Sequence, residues 1–455
     1  MPNANLWILT EERPKDEVIS DIINEFCDKY NFQRQGQKPR IKPIITKEKF
    51  EFQYQVVDVT IENVEKIILK VISGAEGSFV DFLVFNQLTE PNENDKPLFV
   101  IEETKTNPAE SRNVAVYQRT SKFVFVDLFP VNNDSKKIML YSIRQPYNTL
   151  PSTFILGIKA MKTLGVKILN LEEGKEGRNE KFESVDELIK FKNNIAGGPS
   201  HNIPLKIEKT KNLHEYRISG KLEKSGTLSH DPNIGAVSLF AKLLHVLDPQ
   251  TKKITVYNHK LTQKMINNSQ NKFVKIANKL NLQLEGLTLS KTTIGDKYWE
   301  YNNKGEKIVS IFFHLALQYS KIKIIYENHA GCEQGYFEFP DKRLSSITKK
   351  TGKPDVIIIN SENKEICLIE AEMDKNAFGE NKGVNQLPKF KQVEQEYCSA
   401  YEGYSFSRYV ILFGDKDIDS TKKDADKIIF QLKTDGTMKF FSSCPQWIKQ
   451  KIKSI

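Results

Sequence analysis

The sequence predicts an α/β protein with mixed sheets, built as two similar blocks around a basic, mainly helical segment. Two observations predict this class. Near both ends of the chain the order helix, several strands, helix and strand recurs. The stretch NNIAGGPSH reads as a loop between the first block and a segment in which positive charge is concentrated. The predicted domains are residues 1–195, 196–300 and 301–455.

The first block is predicted from apolar spacing. Apolar residues at helical spacing predict a helix over residues 15–30. Strands are predicted over residues 50–60, 66–72, 78–85 and 97–105, and the polar loop NQLTEPNENDK separates the last two. A helix over residues 110–120 and a strand over residues 122–129 complete a block with a mixed sheet.

The middle segment carries most of the charge. The chain has a net charge of +9, and residues 201–290 contain 14 Lys or Arg against 6 Asp or Glu. Helices are predicted over residues 234–247 and 261–282, with a strand over residues 253–258. A basic segment fits a polyanion such as DNA, although a solvated lysine-rich surface has the same composition.

The third block repeats the order of the first. It is predicted to contain a helix over residues 306–319 and strands over residues 321–326, 335–339, 353–360 and 365–372. A helix over residues 388–401 and a strand over residues 408–413 follow. No residue-level repeat accompanies this order, so the similarity is architectural.

Several classes of protein are disfavoured. The five cysteines are widely spaced and form no CxxC motif, which argues against a disulfide framework and a structural zinc site. The N-terminal residues have no signal-peptide core, and no run of about 18 apolar residues occurs. We therefore expect a cytoplasmic protein that does not enter a membrane. The absence of a GxxxxGK[ST] motif excludes an ATP-driven motor of that type.

An acidic motif lies in the third block. Asp355 precedes the apolar run VIII, and the returning strand ends Ile-Glu370-Ala-Glu372. Strand side chains alternate, so Glu370 and Glu372 share a face, and a hairpin brings Asp355 beside Glu370. Carboxylates at the end of an apolar sheet are suitable ligands for Mg²⁺, which prefers oxygen and keeps several waters.

A similar motif lies in the first block. Asp81 begins the run FLVF, and the following strand ends Glu102-Glu103-Thr-Lys105. We expect Glu103 and Lys105 to share a face that Asp81 reaches, and Glu102 to point away unless the strand is bulged. Lys105 would orient the attacking water, and Glu76 lies close enough upstream to add a ligand.

Both motifs resemble the PD-(D/E)xK nuclease family, which includes most type II restriction endonucleases. The resemblance implies two restriction-endonuclease-like αβββαβ domains that use Mg²⁺ to hydrolyse DNA phosphodiesters. It also implies two catalytic sets, one in each block: Asp81, Glu103 and Lys105, and Asp355, Glu370 and Glu372. The implied metal ligands are Asp81, Glu103, Asp355 and Glu370.

The match to the family pattern has two departures. No proline precedes Asp81, although Pro354 precedes Asp355. Glu372 stands where the family usually has lysine, as in a minority of restriction endonucleases. The second departure leaves open which group in the third block activates the water.

The resemblance implies a magnesium-dependent, sequence-specific endonuclease of double-stranded DNA. Two dissimilar sites suggest that each cuts one strand, so a monomer could break an asymmetric sequence without the symmetry of a homodimer. Two alternatives stay open: a homodimeric nuclease with one degenerate, nuclease-like recognition domain, and a DNA-binding protein without catalysis. A restriction enzyme would also need a separate cognate DNA methyltransferase.

Overall fold

The structure is a computed structural model. It describes residues 4–74, 80–104, 114–141, 152–170, 180–194, 205–219, 232–259, 261–267, 272–292, 295–301, 305–327, 335–338, 344–347 and 354–455. The chain contains helices interspersed with strands, and the strands form mixed sheets. The predicted α/β class is therefore correct.

The N-terminal part of the chain is rich in strands. Its elements are β1 (Ala4–Thr10), α1 (Asp16–Tyr30), β2 (Arg34–Gln35), β3 (Arg40–Thr46), β4 (Lys49–Val57), β5 (Thr60–Ile61), β6 (Val64–Val71), β7 (Ser73–Gly74), β8 (Phe82–Gln87), β9 (Phe99–Thr104), α2 (Val114–Val126) and β10 (Lys136–Tyr141).

Helices and strands alternate more regularly in the middle. The elements there are α3 (Ser152–Thr163), β11 (Lys167–Leu169), α4 (Val185–Asn193), β12 (Lys206–Lys209), β13 (Glu215–Ser219), α5 (Pro232–Leu247), β14 (Lys253–Tyr257), α6 (Gln263–Ile266), α7 (Lys272–Lys279), β15 (Leu282–Leu284) and β16 (Trp299–Glu300).

The C-terminal part begins with a helix and ends with one. Its elements are α8 (Glu306–Tyr319), β17 (Lys323–Glu327), β18 (Gly335–Glu338), β19 (Leu344–Ile347), β20 (Val356–Asn360), β21 (Glu365–Met373), α9 (Lys391–Cys398), β22 (Ser405–Phe413), β23 (Ile428–Leu432), β24 (Met438–Phe440) and α10 (Gln446–Lys453).

The chain divides into two compact units. Unit 1 comprises residues 1–72, 87–89 and 301–455, and unit 2 comprises residues 73–86 and 90–300. The N-terminal residues join the C-terminal block because specific contacts link them: Lys49 pairs with Asp435 at 2.7 Å, and the Phe50 ring lies 4.6 Å from that of Phe312. One boundary between the units falls near residue 300, and residues 90–300 all belong to unit 2.

Unit 1 contains the sheet that carries the third-block motif. Its strands lie in the order β17-β20-β21-β22-β23-β24. The pairs β17–β20 and β20–β21 are antiparallel, and β21–β22 and β22–β23 are parallel. Helix α8 packs against β17, β21 and β22 and also against β3, which belongs to a second group of strands in the order β1-β6-β4-β3.

The core beneath α9 defines one face of strand β21. Ile366 and Leu368 are buried there against Phe390, Val393 and Tyr397. Because strand residues alternate between the faces, the even-numbered positions further along β21 face the same side. Glu370 and Glu372 therefore lie on the face of β21 that is covered by the crossover containing α9.

Unit 2 has the same local order of strands. Strands β8 and β9 are antiparallel, and β9–β10 and β10–β11 are parallel. A smaller sheet follows in which β12–β13 is antiparallel and β13–β14 and β14–β15 are parallel. Helix α5 contacts α2 and α3.

In its described part the middle segment combines helices with a sheet, so it is not mainly helical there, which corrects the sequence prediction. It contains the four-stranded sheet β12-β13-β14-β15. Two of the strands that the prediction missed, β12 and β13, bury Ile207, Tyr216 and Ile218. Each is only four or five residues long, so their alternation was too short to recognise. The single helix predicted over residues 261–282 is replaced by α6, α7 and β15, and residues 268–271 lie outside the described part.

A second correction concerns residues 122–129, which were predicted to form a strand. Residues 122–126 continue helix α2, and the next strand is β10. The side chains of Phe123, Val124, Phe125 and Val126 are all buried. Four successive buried residues show no amphipathic helical period, and such β-branched and aromatic residues favour a strand when they are read locally.

No helix in the described part of the chain is long and apolar enough to cross a membrane.

Candidate active site

The third-block motif lies at the open end of the β20–β21 hairpin. Val356 pairs with Ile369, and the backbone N–H of Asp355 donates to the Ile369 carbonyl at 2.8 Å. The backbone N–H of Ala371 donates to Oδ2 of Asp355 at 2.7 Å. This side-chain hydrogen bond holds the Asp355 carboxylate beside the strand position of Glu370.

Glu370 is a buried carboxyl group in an acidic environment. Its Oε2 atom is buried and has no hydrogen-bond partner in the described structure. Burial raises the pKa of Glu370 well above its ordinary value, and the negative charges of Asp355, Glu372 and Glu306 raise it further, while Lys389 acts in the opposite direction. Protonation or a bound cation would relieve this unfavourable concentration of negative charge.

Glu372 follows on the same face of β21. It is buried, and its Oε1 accepts hydrogen bonds from Asn376 Nδ2 at 2.9 Å and from the Met373 backbone N–H at 3.0 Å. Lys382 Nζ lies 3.9 Å from Oε2 of Glu372. These neighbours hold the Glu372 carboxylate in one orientation.

Glu306 is a fourth carboxyl group at this site, and sequence reasoning missed it. Glu306 begins helix α8. Burial is the larger cause of its raised pKa, and the negative charge of Glu372 raises the pKa further. An acidic residue in the first helical turn is ordinarily explained by the helix dipole. The available signal was its position at the start of the helix that precedes the motif hairpin.

The first-block motif has the same backbone arrangement. Phe82 pairs with Ile101 in the β8–β9 hairpin, and the backbone N–H of Glu103 donates to Oδ2 of Asp81 at 2.6 Å. Asp81 thus accepts an N–H from the neighbouring strand, as Asp355 does. Lys105 and Glu76 lie outside the described residues.

The register reverses the expected faces of Glu102 and Glu103. Continuing the β8–β9 pairing by one step places Glu102, not Glu103, opposite Asp81, and β9 pairs with β10 from Phe99 to Thr104 without a bulge. Glu102 is fully buried, and Lys122 of α2 lies 2.8 Å from its Oε1 and 2.9 Å from its Oε2. Glu102 therefore faces α2, and Glu103 faces the opposite side of the sheet.

The donor set of the third-block motif fits a magnesium ion. Within the described residues, no group of three or more His, Cys, Asp or Glu side chains is arranged to hold a metal ion. Mg²⁺ commonly takes only one or two protein carboxylates and completes its shell with water and substrate phosphate. Asp355 and Glu370 supply two such groups, and the unpartnered buried Oε2 of Glu370 is an acceptor without a donor.

Comparison with known proteins found no matching family model, no matching curated protein and no matching solved structure. The functional interpretation consequently rests on the residues and their geometry.

Proposed function

We propose that this protein is a magnesium-dependent, sequence-specific endonuclease of double-stranded DNA, of the PD-(D/E)xK type and active in restriction. One observation carries the proposal: Glu370 is buried beside Asp355, Glu372 and Glu306, and one of its oxygens has no hydrogen-bond partner. Such a concentration of buried negative charge costs free energy without a cation. A divalent ion is the ligand that best offsets this cost.

Each residue of the site has a chemical role in this proposal. A bound Mg²⁺ would supply a lowered pKa for a coordinated water and would stabilise the charge that develops on the phosphate. Asp355, fixed by the Ala371 N–H, and Glu370 hold the ion. Glu372, oriented by Asn376, accepts the proton of the attacking water.

The order of elements in unit 1 supports the proposal. Helix α8, strands β17, β20 and β21, helix α9 and strand β22 follow one another in this order, with the hairpin β18–β19 inserted before β20. The resemblance implies the same αβββαβ order, with the acidic residues on the second and third strands. DNA as the substrate is supported by the excess of Lys and Arg over residues 201–290.

The two motifs support a division of labour in which each site cuts one strand. The competing candidate is an enzyme with one live site, acting as a homodimer. This candidate requires that Lys122 only neutralise the buried Glu102 of the first motif, with no metal ion beside the pair. A separate methyltransferase would protect the host sequence in either case.

Cleavage of supercoiled plasmid and phage DNA tests the proposal. We expect discrete fragments with Mg²⁺ and none with EDTA. Glu370→Gln should lose cleavage at its site, whereas Asp435→Asn, a change at an exposed carboxylate in the same unit, should keep it. Smeared products would indicate a degradative nuclease. Tight binding without cleavage of any DNA would indicate a DNA-binding protein and overturn the proposal.

A further inference from the structure

We propose that Glu102 and Asp81 form the metal-binding pair of the first motif, that Glu103 is not a ligand, and that Lys122 of helix α2 supplies the cation of this site. The inference rests on the proposed function and deepens it. The assigned glutamate does not belong to an ExK motif, because the residue two positions after Glu102 is Thr104 and not a lysine.

The backbone hydrogen bonds place the two hairpins in the same register. Asp81 precedes Phe82, which pairs with Ile101, and the N–H two residues after Ile101 donates to the Asp81 carboxylate. Asp355 precedes Val356, which pairs with Ile369, and the N–H two residues after Ile369 donates to the Asp355 carboxylate. The two Asp residues therefore occupy equivalent positions.

This equivalence identifies the matching glutamates. Glu102 occupies the position of Glu370, one residue after the paired isoleucine, whereas Glu103 occupies the position of Ala371. Directly opposed residues of an antiparallel pair bring their side chains to about 5 Å on one face. Glu102 is thus the glutamate that can share an ion with Asp81.

The crossover helix provides the positive charge on the same face. Lys122 reaches both carboxylate oxygens of Glu102, and its own side chain is 27% exposed. A lysine ammonium is a compact charge on a flexible stem. It can remain beside Glu102 when an ion binds and orient the attacking water, which is the role expected of Lys105.

The corresponding position in the third block shows a related charge. Lys389 lies in the turn Leu387–Phe390, on the crossover before α9. In both blocks, then, a lysine lies on the crossover that follows the acidic strand. The first site differs in that its lysine makes a direct ion pair.

Calorimetric titration of the full chain with Mn²⁺ tests this assignment, in a Glu370→Gln background that removes the other site. We expect the remaining binding event to disappear in Glu102→Gln and to persist in Glu103→Gln, which makes the same chemical change one residue along. Asp81→Asn should also remove it. Thermal melting of each variant checks folding, and Glu102→Gln combined with Lys122→Met avoids leaving the lysine without its partner.

Strand nicking in the same background gives a second readout. Lys122→Met should retain Mn²⁺ binding, lower the nicking rate by about 10- to 100-fold and shift its pH profile. If Mn²⁺ binding is instead lost in Glu103→Gln and kept in Glu102→Gln, the assignment of the ligands is wrong and the proposed function still stands. If the Glu370→Gln background binds no ion while the unmodified chain cleaves DNA, the first site is inactive and the inference fails although the proposed function stands. An unmodified chain that binds no ion overturns both.

Discussion

The backbone N–H of Ala371 donates to the side chain of Asp355 at 2.7 Å, across the end of the β20–β21 hairpin. The N–H of Glu103 donates to Asp81 in the same way at 2.6 Å. A carboxylate that accepts a backbone N–H is held in one orientation. The protein therefore presents two fixed aspartates, each beside a buried glutamate on the neighbouring strand.

The two aspartates lead to a prediction about strand specificity. If each site cuts one strand, Asp81→Ala and Asp355→Ala should each leave a nicking enzyme, and the two variants should nick opposite strands. Loss of a metal-holding carboxylate should lower cleavage of the affected strand by at least about 100-fold. Denaturing gels with each strand end-labelled measure this. Double-strand breaks by either variant would rule out the division between sites.

The raised pKa of Glu370 predicts how stability depends on pH without metal. The folded chain keeps this proton to a higher pH than the unfolded chain, whose ordinary value is 4.5. The free energy of unfolding should therefore be unaffected by this group below that value and should decrease as the pH rises towards the folded-state pKa.

Glu370→Gln removes this dependence. In EDTA the variant should match the unmodified chain near pH 4 and be the more stable of the two near pH 8. Denaturant unfolding at the two pH values measures the difference. Glu362→Gln, at an exposed turn residue of the same hairpin, is the control and should change neither value. Equal pH dependence of Glu370→Gln and the unmodified chain would contradict the prediction.

Binding of Mg²⁺ should release protons from this cluster. Glu370 and Glu306 both have raised pKa values. A divalent ion held by Glu370 requires its ionised form, and the ion's positive charge favours ionisation of Glu306 as well. Titration calorimetry in buffers of different ionisation enthalpy should therefore give binding heats that depend on the buffer. The release should diminish in Glu370→Gln, and heats independent of the buffer would show that these carboxyl groups take no part.

Gly414 makes room for the loop beside the third-block motif. It has a φ of 132°, and a Cβ there would overlap the carboxylate of Asp374, which accepts the Lys416 N–H at 2.6 Å. Gly414→Ala should destabilise the protein by about 2 to 4 kcal/mol, from backbone strain and this overlap. Gly403→Ala is the matched control.

Gly403 isolates the strain from the overlap. It also has a left-handed φ, of 77°, but a Cβ there would meet nothing within 4 Å. Its change to alanine should cost only about 1 to 2 kcal/mol. Urea denaturation compares the two variants, and equal losses would show that the contact of Gly414 with Asp374 has no energetic effect.

Local sequence determined the elements with a clear period. Helix α1 and helix α8 begin within one residue of the predicted positions. Both were recognisable because their buried apolar side chains recur at helical spacing. The hairpin β20–β21 was also predicted, because its continuous apolar runs are separated by a polar turn. The alternation of β21 likewise put Glu370 and Glu372 on one face.

Other features depended on contacts between distant residues. The C-terminal end of α2, residues 122–126, was predicted as a strand because tertiary packing of its buried side chains, rather than local preference, keeps it helical. Strands β12 and β13 are too short to form a detectable pattern alone, and their pairing stabilises them.

The sequence by itself determined an α/β protein with two acidic hairpins and a basic middle segment. Only the tertiary structure decided that Glu102 faces Asp81, that Lys122 pairs with it, and that Glu306 joins the second cluster. The physical reason is that composition and periodicity are local properties. The register of a hairpin and the approach of a helix are fixed by hydrogen bonds and packing between residues far apart in the chain.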